Sequence, residues 1–147
     1  MLKKHMITLC FGLLLSTVIP QNALAQTNAP QSPSVVTTAS DTVMTVSELR
    51  TLLNNRASVQ VLDVRRPKAQ LASPDGLPMA SWHDPEQVSQ WAATLDKEVP
   101  VVVYCVHGHE VSTNVMNQLR ALGYRVKKLG GGIEAWNAEG GATAPMK

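Results

Sequence analysis

Val101-Val102-Val103-Tyr104-Cys105-Val106-His107-Gly108-His109-Glu110-Val111-Ser112 is the stretch on which the reading of this chain turns. Four β-favouring residues lead into a cysteine with no polar alternation among them, the pattern of a central parallel strand buried on both faces. A glycine-bearing loop follows. Ser112 then opens a segment in which Val115, Met116, Leu119 and Leu122 share one helical face, and Gly123 stands where a helix C-terminal glycine belongs. The spacing predicts a thiol at the carboxyl end of a strand, with a helix N-terminus aimed at it.

Such a setting suits an activated sulfur. Unpaired N–H groups of the loop and of the first helical turn form a positively polarised concavity, and a thiolate placed in it is stabilised. An unpaired thiol is also commonly a small buried hydrophobe with no chemistry of its own. Local context leaves both readings open.

Far upstream, Lys3 and Lys4 precede the apolar run Ile7 to Ile19, and Ala23-Leu24-Ala25 supplies small residues at signal-peptidase spacing. Residues 1–25 therefore read as a signal peptide cleaved after Ala25, which implies a periplasmic protein without stable membrane association. Cys10 lies inside the apolar run and leaves with it. Of thirteen Lys and Arg residues in the chain, Lys3 and Lys4 are lost, so the mature chain carries eleven basic against eleven acidic residues. That balance, with no basic run, argues against a nucleic-acid partner. One cysteine, Cys105, remains in an exported chain, where an internal disulfide is then impossible; intermolecular pairing or a reactive thiol are the alternatives. A monomer is the simpler expectation.

Residues 26–41, rich in Thr, Ser, Pro, Gln and Ala, read as a flexible tether. Residues 42–143 follow as one domain. The chain's only Phe is Phe11, so the core must rest on Val, Leu, Ile, Met and three Trp. Thr45-Val46-Ser47-Glu48 is a capping box ahead of Leu49, Leu52 and Leu53. A strand over Val59–Val64 ends in Asp63, Arg65 and Arg66; Pro67 starts a helical turn through Leu71, and Ser73-Pro74-Asp75-Gly76 is a turn. Leu77–Trp82 is a short strand, and Asp84-Pro85-Glu86 is the start of a helix carrying Val88, Trp91, Ala92 and Leu95. Tyr124–Leu129 is the last strand, before three glycines and a short helix with Ile133 and Trp136. Repeated strand–helix units imply an α/β fold with a parallel sheet covered on both faces and a site at the carboxyl ends of its strands. No Cys/His cluster of metal-binding type is present.

Taken together, these segments resemble the rhodanese-like domain family. Leu62-Asp63-Val64-Arg65 matches its Asp-x-Arg strand end, and Gly76-Leu77-Pro78-Met79-Ala80 is similar to a degraded form of its Ile-Pro-Gly-Ala turn. Val103-Tyr104-Cys105-Val106-His107-Gly108 matches the catalytic strand and Cys-x-x-Gly loop. Gly123-Tyr124, Leu129-Gly130-Gly131 and Ala135-Trp136 match the closing segment. The resemblance implies a central parallel sheet of about five strands and a cofactor-free sulfurtransferase. Cys105 would carry sulfane sulfur as a persulfide, from a small sulfur-containing anion such as thiosulfate to a cyanide or thiol acceptor. The backbone N–H groups of Val106, His107, Gly108, His109, Glu110, Val111 and Ser112 would surround the sulfur, without metal or cofactor. Arg66 is a candidate for attracting the anionic donor, whereas Asp63 and Arg65 read as scaffold beside the site. A non-catalytic binding or sulfur-carrier module is the alternative.

The loop departs from the family pattern in one respect. Many sulfur-handling relatives read Cys-x-x-Gly-x-x-Ser, but Ser112 lies seven positions after Cys105, which suggests a loop enlarged to Cys105–Val111. Enlarged loops belong to a phosphatase-like or arsenate-reductase-like branch, which places Arg at the last loop position to grip phosphate. Val111 stands there, preceded by Glu110.

Overall fold

The computed structural model describes residues 39–146. The signal peptide read over 1–25 and the tether up to residue 38 lie outside the described residues. A helical turn α1 (Ala39–Thr42), β1 (Val43–Met44) and α2 (Val46–Asn54) open the fold. Next come β2 (Gln60–Asp63), α3 (Pro67–Ala72), β3 (Asp75–Gly76) and β4 (Ser81–Trp82). The short helix α4 (Val88–Trp91) runs into a 3-10 turn, Ala92–Thr94. Finally β5 (Val101–Tyr104), α5 (Glu110–Ala121), β6 (Val126–Leu129), α6 (Gly132–Ala138) and β7 (Ala144–Pro145) close it.

Five strands form one sheet in the order β1-β6-β5-β2-β4, every pair parallel. The strand β5 is central, and its side chains alternate between two cores. Val101, Val103 and Cys105 pack with Val88, Val115, Met116 and Leu119 under α4 and α5. Val102 and Tyr104 pack with Val46, Leu49, Ile133 and Trp136 under α2 and α6. An uninterrupted apolar run is what a strand with two buried faces requires. Each large apolar side chain so buried contributes roughly 1.5–3 kcal/mol.

Local signals act as read in several places. Thr45 caps α2: its Oγ1 accepts from the Glu48 N–H at 3.2 Å while the Glu48 carboxylate accepts from the Thr45 N–H at 2.7 Å. The Thr45 N–H, joined by the Thr45 hydroxyl donating at 2.8 Å, holds the Glu48 carboxyl below its ordinary range. After α5, Gly123 takes φ +88°, and the N–H groups of Gly123 and Tyr124 bond the carbonyls of Arg120 and Leu119. That is a Schellman stop, which favours glycine because of the left-handed φ.

Elsewhere the structure differs. The sequence reading assigned no strand before α2, yet Val43–Met44 pairs with β6. Two residues are too few to show a period. Asp84 does not start a helix: its Oδ1 accepts the Glu86 N–H in a local turn, and α4 begins only at Val88. Leu122, read as part of the apolar face of α5, is 48% exposed, because the helix ends at that residue. Ordered backbone also extends beyond 42–143 at both ends: Ala39–Asp41 joins α1, and Ala144–Pro145 pairs antiparallel with Asp75–Gly76, where a plain turn was read.

Candidate active site

The carboxyl end of β2 carries a buried ion pair. Asp63 and Arg65 are 0% and 2% exposed, and the Arg65 Nη2 and Nε atoms donate to Asp63 Oδ2 at 2.6 and 2.8 Å. Of the other guanidinium donors, one on Nη1 reaches the Ser73 carbonyl at 2.9 Å and one on Nη2 the Asp75 carbonyl at 3.0 Å. Arg65 thus ties the 73–76 segment to β2, with its charge paired to that of Asp63. Its carbonyl accepts from Trp82 Nε1 at 2.9 Å. Beside it on β5, Tyr104 accepts the Leu77 N–H at 3.1 Å. Burial, reinforced by the Asp63 charge, pushes its phenol well above the ordinary range, so it stays neutral.

Cys105 follows β5 and is 5% exposed. Its Sγ lies 3.4 Å from Ser112 Oγ, to which the thiol donates. As a thiolate the sulfur would accept instead, since the hydroxyl hydrogen rotates to suit. The helix α5 begins at Glu110, two residues before the expected Ser112, with His109 in the capping position. The His109 carbonyl gathers three donors: Ser112 Oγ at 3.3 Å, Thr113 Oγ1 at 2.7 Å and the Thr113 N–H at 3.0 Å. Ser112 is therefore spent on the turn and the thiol rather than on opening the helix, and Glu110 and Val111 belong to its first turn.

The loop's carbonyls and N–H groups are treated differently. The carbonyls of Cys105 and Val106 accept from the Ile133 and Glu134 N–H groups at 3.0 and 3.1 Å. Among the described residues, none of the N–H groups from Val106 to Ser112 donates to a carbonyl or a side chain. Seven donors of the loop that follows the sulfur are thus without a partner among the described residues, and consecutive free N–H groups of this kind are the makings of an anion cradle. Gly108 is required for this packing: its φ is +70°, and a Cβ there would come within 2.5 Å of the Leu129 carbonyl and 2.8 Å of the Gly131 and Gly132 N atoms.

Above the sulfur lies a cleft of about 280 Å³. Val106, Val111 and Ala69 give it apolar walls, and Arg66, His107, His109 and Glu110 line it as well. Arg66 is exposed and its guanidinium makes no hydrogen bond or ion pair among the described residues. His107 Nδ1 lies 2.8 Å from Glu134 Oε2, and its ring centroid is 6.1 Å from that of His109. Of the residues read as site candidates, Cys105, the loop from Val106 to Val111 apart from Gly108, Arg65 and Arg66 line this cleft, whereas Asp63, Gly108 and Ser112 do not. Glu134 was missed, since an acidic residue in a first helical turn reads as a helix-dipole partner. A larger hollow of about 380 Å³ at the other end of the sheet, lined by Met44, Val59 and Val102, includes no thiol or imidazole. Among the described residues no group of three or more His, Cys, Asp or Glu side chains could hold a metal.

A family model for the rhodanese-like domain matches residues 45–139. No curated protein matches the chain. Several solved structures do. A rhodanese-related protein from Thermoplasma volcanium superposes with a TM-score of 0.61 at 21% identity, covering 70% of this chain and 97% of its own. A rhodanese-like domain protein from Staphylococcus aureus gives 0.61 at 24%, covering 72% and 98%. A protein from Rhodopseudomonas palustris, described as a possible tyrosine phosphatase, gives 0.61 at 19%, covering 72% and 86%. At these identities the likeness is one of fold.

Proposed function

The chain belongs to the rhodanese-like domain family, and from that premise we propose that it is a sulfurtransferase working through a Cys105 persulfide. The Cys105 thiolate attacks the outer sulfur of a donor such as thiosulfate. A new S–S bond forms, the donor's own S–S bond breaks, and sulfite leaves with the electron pair. The terminal sulfur of Cys105–S–S⁻ then passes to cyanide or a thiol, regenerating the thiolate, which is covalent catalysis in two half-reactions. One observation carries this reading: the loop from Val106 to Ser112, which follows the Cys105 sulfur, has seven N–H groups without a partner among the described residues, and the sulfur's own side-chain partner is a neutral hydroxyl. Such a cradle favours a singly charged sulfur anion. Export to the periplasm through cleavage after Ala25 is part of the same proposal.

Phosphate chemistry has less support. A phosphate dianion calls for a guanidinium at the loop, where this chain has Val111 and Glu110, and Arg65 is consumed by Asp63. Replacing Cys105 with serine should abolish thiocyanate formation from thiosulfate and cyanide while leaving the circular-dichroism spectrum unchanged. Turnover surviving in Cys105→Ser would overturn the persulfide route.

A further inference from the structure

Glu134 and His107 form a couple across the loop to which no role has been assigned. Three links join the start of α6 to this loop: Ile133 N–H to the Cys105 carbonyl at 3.0 Å, Glu134 N–H to the Val106 carbonyl at 3.1 Å, and the Glu134 carboxylate to His107 Nδ1 at 2.8 Å. The first two fix the loop's backbone. The third fixes one side chain of the cleft lining. An ionised carboxylate only accepts, so His107 Nδ1 carries the hydrogen, and the nitrogen left for a substrate is Nε2.

On the sulfur-transfer reading above, we infer that His107 is the base that deprotonates a thiol acceptor, with Glu134 as its positioning residue. The need for a base follows from the chemistry of the second half-reaction. A thiol arrives as R–S–H, and a protonated sulfur is a poor nucleophile. His107 Nε2 takes the proton; the resulting R–S⁻ attacks the terminal sulfur of Cys105–S–S⁻. A bond forms between R–S⁻ and that sulfur, the Cys105 S–S bond breaks, and its electron pair stays on the Cys105 thiolate. The product is R–S–S⁻, with the proton on an imidazolium faced by the Glu134 carboxylate. A carboxylate behind an imidazole both orients the ring and stabilises its charged form. The cleft's apolar walls and volume of about 280 Å³ suit a small organic thiol, while His109, Glu110 and Arg66 complete its polar rim. The assigned acceptor class is therefore a small protonated thiol, in contrast to an anionic acceptor such as sulfite, which needs no base.

Single-turnover kinetics on the full chain separate the two acceptors. Cys105 is loaded with sulfur from thiosulfate and then mixed with either 2-mercaptoethanol or sulfite. General-base catalysis is worth about a hundredfold or more, and losing the base's orientation should forfeit part of it, so Glu134→Ala should slow delivery to the thiol about tenfold. Delivery to sulfite and loading from thiosulfate should stay within about twofold of the parent, which also shows that the variant is folded. Glu134→Gln, which still accepts from Nδ1–H, should recover part of the loss. His107→Gln should slow delivery to the thiol at least as much, and combining it with Glu134→Ala should add little further to that loss. Equal slowing toward both acceptors would make the couple merely structural, and unchanged thiol delivery would remove it from the reaction; either overturns the inference. A parent protein that never loads sulfur would instead refute the sulfurtransferase reading itself, and this inference with it.

Discussion

Arg65 and Arg66 are neighbours in sequence and opposites in the molecule. Arg65 is sealed under the site, its donors divided among the Asp63 carboxylate and the carbonyls of Ser73 and Asp75. Arg66 stands at the cleft rim with its guanidinium unbonded among the described residues. The same contrast separates the whole floor of the site from its rim. The floor, at the ends of β2 and β5, is buried, and its buried side-chain polar atoms all have hydrogen-bond partners. The rim, made by His107, His109, Glu110 and Arg66, is polar and exposed. Burial turns a charge into scaffold, since removing its partner leaves an uncompensated ion, whereas exposure leaves a charge free to meet a substrate.

The sharpest break in this comparison is expected at the floor. Arg65→Ala strands the Asp63 carboxylate in the core and should cost about 3–5 kcal/mol of stability, read as a lowered midpoint in urea. A change below about 1 kcal/mol would mean that the pair is not the scaffold described here. Arg66→Ala should shift that midpoint hardly at all. It should instead lower kcat/KM for thiosulfate roughly threefold to tenfold at low salt, with the gap narrowing as salt is added. An effect independent of salt would point away from attraction of the anion.

A smaller effect concerns His83, whose N–H bonds the Asp63 carbonyl at 2.9 Å and whose ring lies 4.6 Å from that of Trp91. Burial lowers its pKa from the ordinary 6.5. The unfolded chain therefore binds the proton more readily than the folded one. Stability should fall as the pH drops below about 6.5, until the folded residue also titrates. Replacing His83 with glutamine, which can still bond Ser81 Oγ, should reduce the loss of melting temperature between pH 7 and pH 5. An undiminished loss would assign that pH dependence to other groups.

The floor was more legible in the sequence than the rim. Four β-favouring residues ending in a cysteine, an Asp-x-Arg strand end and a capping box each state a local rule with one good solution. The architecture followed from them. The start of α5 was not legible, because its capping contacts come from Ser112 and Thr113 reaching back to one carbonyl of an otherwise ordinary His109. Strand β1 and the β3–β7 pair are two residues long and depend on partners remote in sequence. Glu134 is the clearest case: its tie to His107 spans 27 residues and exists only once α6 has docked on the loop. Rim chemistry is made by tertiary contacts, so it has no sequence period to announce it.

The central claim is that the floor holds a sulfur-accepting thiol inside a cradle of N–H groups. Mass spectrometry of the purified protein after exposure to thiosulfate tests it most directly. The account predicts a gain of one sulfur atom on Cys105, removed again by cyanide or sulfite and absent in Cys105→Ser. A thiol that stays unmodified in the folded protein, or a chain that hydrolyses an aryl phosphate faster than it takes up sulfur, would contradict it.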